Sequence, residues 1–176
     1  PKLQASIIQK RLKSLEGRPL ISIILPTYKT APHHLSACID SVLKQSYVHW
    51  ELCIADDASA RPDLIQLLED YAFKHPRIKL ILRKVNGHIS AASNSALSLA
   101  TGKFIALLDH DDLLAPHALL SIAEEVTNKP SVRLLYSDED KISINGERHS
   151  PYFKPDWNPE LLRGQNYFCH LCVYHR

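Results

Sequence analysis

The 176 residues fit one domain of ordinary size, and a 45% hydrophobic, 23% charged composition lies close to the average of soluble globular proteins. A chain of this length buries a substantial core without disulfides or structural metals. The formal net charge of +2 comes with scattered basic residues such as Arg11, Lys13 and Arg18, which gives no reason to expect nucleic acid as a partner.

Residues 1–17 carry Ile7, Ile8, Leu12 and Leu15 among basic and polar positions, the pattern of a helical extension ending at Gly17. Leu20 to Leu25 is β-branched, nearly all apolar and stopped by Pro26, which predicts a buried strand of a parallel sheet. Leu35, Cys38, Ile39, Val42 and Leu43 then recur on one face of a helix. The alternation continues. Strands are predicted at Trp50–Ala55, Ile78–Leu82, Phe104–Leu108 and Val132–Tyr136, with helices around Leu64–Ala72, Ile89–Leu99 and Leu119–Val126 between them. Such alternation implies right-handed βαβ units and an α/β fold with a doubly wound, mostly parallel sheet. After Asp138 the pattern breaks. Asn145-Gly146 marks a hairpin, Pro151 to Pro159 an ordered loop, residues 160–164 a helical turn and Tyr167 to Tyr174 a last strand.

Cys38 and Cys53 fall in apolar segments and read as buried thiols. Cys169-His170-Leu171-Cys172 has the spacing of a metal knuckle. No second ligand pair accompanies it, and on a strand its two sulfurs face opposite ways, so a zinc site is not expected. The cysteine usage fits a reducing, cytoplasmic compartment, with peripheral attachment to the inner face of the membrane as an option. No apolar run approaches the roughly 20 residues needed to span a bilayer. The chain opens on Pro1 and has no Met, which reads as a fragment of something longer.

Ligands of an open parallel sheet bind beyond the carboxyl ends of its strands. The residues just after those strands are Pro26-Thr27-Tyr28, Asp56-Asp57, Asn86-Gly87-His88, Asp109-His110-Asp111-Asp112 and Ser137-Asp138-Glu139-Asp140. Acids recur along this single rim. Carboxylates at n and n+2 of an extended chain share a side, so Asp109 and Asp111 can converge on a hard cation such as Mg²⁺ or Mn²⁺. Asp112 is expected to cap the following helix, with Ser59 as the corresponding cap near Arg61-Pro62. Of Asp56 and Asp57, one is expected to be functional and the other structural. No G-x-G-x-x-G follows the first strand and no P-loop is present.

The stretches Ile21–Tyr28, Ser41–Tyr47, Trp50–Ser59, Asn86–Asn94, Thr101–Phe104 and Leu108–Asp112, in this order and spacing, resemble the family 2 glycosyltransferases of the GT-A fold, especially bacterial enzymes that build O-antigen or rhamnan. The resemblance covers the chain from about Arg18 to its end. It implies a Rossmann-like nucleotide-binding half over residues 18–176, a nucleoside diphosphate sugar donor, and a glycan or lipid-linked glycan acceptor. It implies metal-dependent, inverting transfer to an acceptor hydroxyl. By the same analogy, Pro26, Thr27 and Tyr28 line the nucleobase pocket and Asp57 bonds base or ribose. Asn86 to Asn94 borders the donor, Asp109 points to ribose or sugar, and Asp111 sits on the metal. Many relatives carry Arg where this chain has Ser93. The family's catalytic base lies in a later acidic motif, beyond Arg176. Asp138, Glu139 and Asp140 are then candidates for acceptor or sugar contact. Two competing readings are a non-catalytic binding or scaffolding domain of the same fold, and a nucleotidyltransferase. Against the latter, the Pro26–Thr30 stretch lacks that class's glycine-rich basic loop.

Overall fold

The computed structural model describes residues 2–176, with side chains from Ser6 onward. Strands β1 (Ile21–Thr27), β2 (Trp50–Asp56), β3 (Ile78–Leu82) and β4 (Phe104–Leu107) lie parallel in the spatial order β3-β2-β1-β4. β2 is buried along its whole length and β1 at all but Pro26. Continuous apolar runs are what a strand needs when helices cover both of its faces.

The pleat sorts the core. Ile21, Ile23 and Leu25 meet α2 (Pro32–Leu43), α3 (Pro62–Lys74) and α5 (Ala118–Asn128), through Leu35, Ile39, Leu64, Leu68 and Leu119. On the opposite face Ile24, Cys53, Ala55 and Ile105 pack with Ala96 of α4 (His88–Ser98). Its small residues let that helix lie close on the sheet. The sheet is doubly wound, as the alternation implies.

Helix α1 (Lys2–Ser14) docks on α5. Ile8, Leu12 and Leu15 pack against the main core, and Arg11 bonds Glu124 and Ser121 at 3.0 Å each.

Beyond β4 the order departs from a simple continuation. β8 (Cys172–His175) runs antiparallel between β4 and β5 (Leu134–Tyr136). It is shorter than the predicted 167–174, because Tyr167 and Phe168 turn into an aromatic cluster with Tyr136 instead of joining the sheet. A separate ribbon of β6 (Glu139–Ile142) and β7 (Arg148–Tyr152) surrounds Asn145-Gly146. β7 therefore takes the first residues of the predicted loop. α6 (Pro159–Gly164) is the predicted helical turn, with the Asn158 side chain accepting from Leu161 N at 2.9 Å.

Two predicted caps are corrected. α5 starts at Ala118, too far along the chain for Asp112 to cap it. Gln45, just beyond the end of α2, does that work, its Oε1 accepting from Leu119 N at 3.1 Å. Ser59 does not cap α3, whose N-cap position is Arg61. It donates to the Asp56 carboxylate instead.

On the α4 side, a buried polar knot ties four segments together. The Glu51 carboxylate accepts from Ser22 Oγ at 2.6 Å, Thr101 Oγ1 at 3.0 Å and Gly102 N at 3.2 Å, and pairs with Lys79 Nζ at 2.6 Å. A Cβ at Gly102 would lie 2.6 Å from Leu20 O and 2.6 Å from Ser22 Oγ. Gly102→Ala is therefore expected to destabilise the fold by about 2 kcal/mol, read as a melting-temperature drop of roughly 4–8 °C. An unchanged melting temperature would contradict this close approach.

Candidate functional site

The parallel strands deliver their ends to one rim, and a cleft of about 380 Å³ opens there. It brings together Pro26, Thr27, Tyr28, Asp57, Asn86, Asp109 and Asp111, all singled out from the sequence, with His88, Ile89 and Ala92 of the Asn86–Asn94 stretch, and adds His110. Asn94 is not among the lining residues and is exposed. Ala92 faces the cleft from α4, and two residues further along a helix the direction has turned through about 200°.

Asp56 and Asp57 are both 2% exposed but do different work. Asp56 holds the loop, accepting from Thr27 Oγ1 at 3.2 Å, from Ser59 N at 2.9 Å and from the Ser59 hydroxyl. Asp57 lines the cleft. Its carboxylate accepts from Arg83 Nε at 2.7 Å and from Gly87 N at 3.0 Å, while its carbonyl accepts from Asn86 Nδ2 at 3.2 Å. The Asn86–His88 turn is thus anchored to the end of β2. In the sequence, the only signal of Arg83 is a charge directly after the apolar run of β3.

The acidic turn after β4 is clamped from below by α2 and the residues just after it. Cys38 Sγ donates to Asp109 O at 3.4 Å, Ser41 Oγ accepts from Leu114 N at 3.0 Å, and Gln45 Nε2 donates to Ala115 O at 2.8 Å. Burial, reinforced by the charges of Asp112, Asp111 and Asp109, pushes the Cys38 thiol up to about 12. That thiol is a neutral donor at neutral pH. Asp112 N closes the turn on Asp109 O at 3.2 Å.

Asp111 points to solvent, its side chain 62% exposed and its Oδ1 3.6 Å from His110 Nδ1. Asp112 turns the other way, toward His170. Its Oδ2 lies 2.9 Å from His170 Nδ1, and Asp109 Oδ2 lies 3.8 Å from the same nitrogen. Asp109, Asp112 and His170 each offer one ligand atom, all within 4.8 Å of one another. The contact between Asp112 and His170 is close but not aligned as a hydrogen bond, so this buried oxygen has no hydrogen-bond partner. Burial first, then the charges of Asp109, Asp111 and Glu139, raise the Asp112 carboxyl against the opposing pull of His170. A divalent cation would relieve both the crowding and the orphaned oxygen. The donor set fits one: two carboxylates and an imidazole within reach of one another, with Asp111 lining the cleft alongside Asp109. In the sequence, His170 stands inside the Cys169–Cys172 spacing, whose local pattern points away from a metal. All four cysteines are free thiols.

Asp138, Glu139 and Asp140 meet protein partners. Asp138 Oδ1 accepts from Lys154 N at 2.8 Å, Glu139 pairs with Lys154 Nζ at 3.2 Å, and Asp140 with Arg148 at 2.6 Å.

The family model described as "Glycosyl transferase family 2" matches residues 22–176. The chain belongs to this family. Among curated relatives, the O-antigen biosynthesis protein RfbC of Myxococcus xanthus is 37% identical over 96% of the chain. The Escherichia coli UDP-Glc:alpha-D-GlcNAc-diphosphoundecaprenol beta-1,3-glucosyltransferase WfgD is 38% identical over 72% of the chain, which covers 48% of WfgD. The chain spans less than a fifth of the first relatives it matches, 13% of RfbC among them. Among solved structures, the Pyrobaculum calidifontis mannosyltransferase PcManGT, in complex with GDP-Man and Mn²⁺, superimposes with a TM-score of 0.59 at 26% identity. That match covers 77% of this chain and 42% of PcManGT. The fold of this family 2 chain is accordingly that of the GT-A glycosyltransferases. No helix among the described residues is long and apolar enough to cross a membrane.

Proposed function

We propose that this chain is the donor-binding part of a metal-dependent, inverting glycosyltransferase of bacterial surface polysaccharide synthesis, working at the cytoplasmic face of the membrane. The observation that carries the reading is one cleft with Asp57 on one wall and Asp109 with Asp111 on the other, continuous through Asp109 with the Asp112–His170 cluster. The volume suits a nucleoside diphosphate sugar, and the walls differ in character as its two ends require. Pro26, Thr27 and Tyr28 offer an apolar and aromatic surface to the base. Asp57 and Asn86 accept and donate to base or ribose. Asp109 and Asp111, with Asp112 and His170 behind them, hold the cation beside the diphosphate.

Carboxylates alone suit Mg²⁺, and the imidazole moves the preference toward Mn²⁺. The bound ion supplies charge neutralisation for the departing diphosphate. In the transfer, an acceptor hydroxyl oxygen bonds to the anomeric carbon as the bond from that carbon to the diphosphate breaks, and the hydroxyl proton passes to a carboxylate base. The walls of this cleft bind and orient the donor for that displacement. The donor sugar is a hexose or deoxyhexose, in line with the resemblance to enzymes that build O-antigen or rhamnan. The acceptor is a glycan or lipid-linked glycan.

Thermal-shift titration with UDP, GDP, dTDP and CDP, each with and without Mn²⁺, tests the reading. One nucleotide is expected to raise the melting temperature by roughly 5–10 °C at a hundredfold excess over its Kd, and only with metal. A shift of the same size without metal would refute the metal requirement. No shift with any of the four would refute the donor site and favour a fold that has lost its chemistry.

A further inference from the structure

Lys154 lies in the loop after β7. Of residues 151–160 it alone is not exposed, and its side chain is fully buried. Lysine is among the residue types least often found in such a place, because its ammonium must find partners for every proton it takes out of water. Here it finds three acceptors for three donors. The Nζ bonds Glu139 Oε2 at 3.2 Å, His170 O at 3.1 Å and Cys169 O. Its backbone N–H donates to Asp138 Oδ1 at 2.8 Å.

Two of these acceptors are the carbonyls on either side of the His170 α-carbon. Both peptide groups that set the direction of the imidazole are therefore held by one ammonium. Leu171 is fixed as well, its N–H donating to Ser137 Oγ and its carbonyl accepting from Ser137 N, each at 3.1 Å. Asp109 and Asp112 stand beside the imidazole, and neither contact is an aligned hydrogen bond. Its place at the acidic turn comes from its backbone. β8 begins at Cys172 and is secured by pairing with Leu107 and Tyr136, which leaves residues 169 and 170 outside the ladder.

We infer that Lys154 is a positioning residue: it fixes the Cys169–His170 backbone so that the imidazole stands against Asp109 and Asp112, and so sets the affinity of that cluster for a divalent cation. The role of the cluster as a cation site rests on the reading above. The orienting role of Lys154 does not.

The test uses Mn²⁺ alone, titrated calorimetrically into the chain and into Lys154→Met, His170→Ala and the double variant. Thermal melts establish that each is folded. If Lys154→Met does not fold, Lys154→Gln, which keeps a donor for the carbonyls, takes its place. Loss of the orienting contact is expected to weaken Mn²⁺ binding about 10–100-fold in the presence of His170, and to add nothing in its absence. Unchanged affinity, or an equal loss with and without His170, would overturn the inference. Without metal, the NOE between the His170 ring protons and the Asp112 β protons is expected in the parent and lost in the Lys154 variant. If the parent binds no Mn²⁺, the cation site falls, and the NOE alone decides the orienting role: loss supports it and retention overturns it.

Discussion

Asp109→Ala is expected to lower Mn²⁺ affinity at least about 100-fold and to abolish metal-dependent nucleotide binding, while leaving the melting temperature nearly unchanged. The separation of function from stability follows from which atoms of Asp109 hold the fold. Cys38 Sγ and Asp112 N both bond its backbone carbonyl, and an alanine keeps that carbonyl. The carboxylate is half exposed, with His170 Nδ1 3.8 Å from its Oδ2. Removing it takes a ligand from the point where the cleft meets the Asp112–His170 cluster, and lessens the like-charge crowding around Asp112. Calorimetric titration of Mn²⁺ followed by nucleoside diphosphate measures the effect. Parental affinity in the variant would mean that the cation, if bound, sits elsewhere. A large fall in melting temperature would mean that the carboxylate holds the fold and not a ligand.

The largest effect on stability is expected at Glu51. Its side chain is 7% exposed and meets Ser22, Lys79, Thr101 and Gly102, which come from β1, β3 and the α4–β4 connection. Glu51→Ala leaves several buried donors without an acceptor, and about 3 kcal/mol of destabilisation follows. Burial by itself would raise this carboxyl. The bonds from Lys79, Ser22 and Thr101 outweigh it and hold the group down at about 2. A depressed value stabilises the fold fully above the unfolded value of 4.5, and the contribution is lost as pH falls from there through about 2. Urea denaturation between pH 7 and pH 2 is expected to show this decline in the parent and to show less of it in Glu51→Ala. A loss below about 1 kcal/mol at pH 7, or identical pH profiles, would contradict the role given to the knot.

The four parallel strands and the helices between them were legible because buried strands are continuous apolar runs and their helices repeat at a helical period. The hairpin at Asn145-Gly146 and the turn of α6 were legible too, but the place of the last strand in the sheet was not, because its pairing is non-local. Cys172 pairs with Leu107 on one side and Tyr136 on the other, and nothing near Cys172 in the chain announces an antiparallel insertion. That insertion brings His170 to the acidic turn. Read locally, His170 belonged to a cysteine pair; read in space, it belongs to Asp109 and Asp112. Local reading also gave Asp112 a cap to form, whereas the donor at the start of α5 is satisfied by Gln45, just after α2. The cleft itself was largely legible, since the strand ends were known and rim residues follow from them. Asn94 fell outside it because a helix, unlike a loop, points each residue in a fixed direction.

The most direct test of the donor-site reading is crystallographic. Crystals of the chain grown with Mn²⁺ and the nucleoside diphosphate chosen by thermal shift would be measured at the manganese absorption edge. The expected result is one anomalous peak within coordination distance of Asp109 and at least one of Asp111, Asp112 and His170, with the base against Tyr28 and Asp57. A peak elsewhere, or a nucleotide bound away from this cleft, would contradict the account.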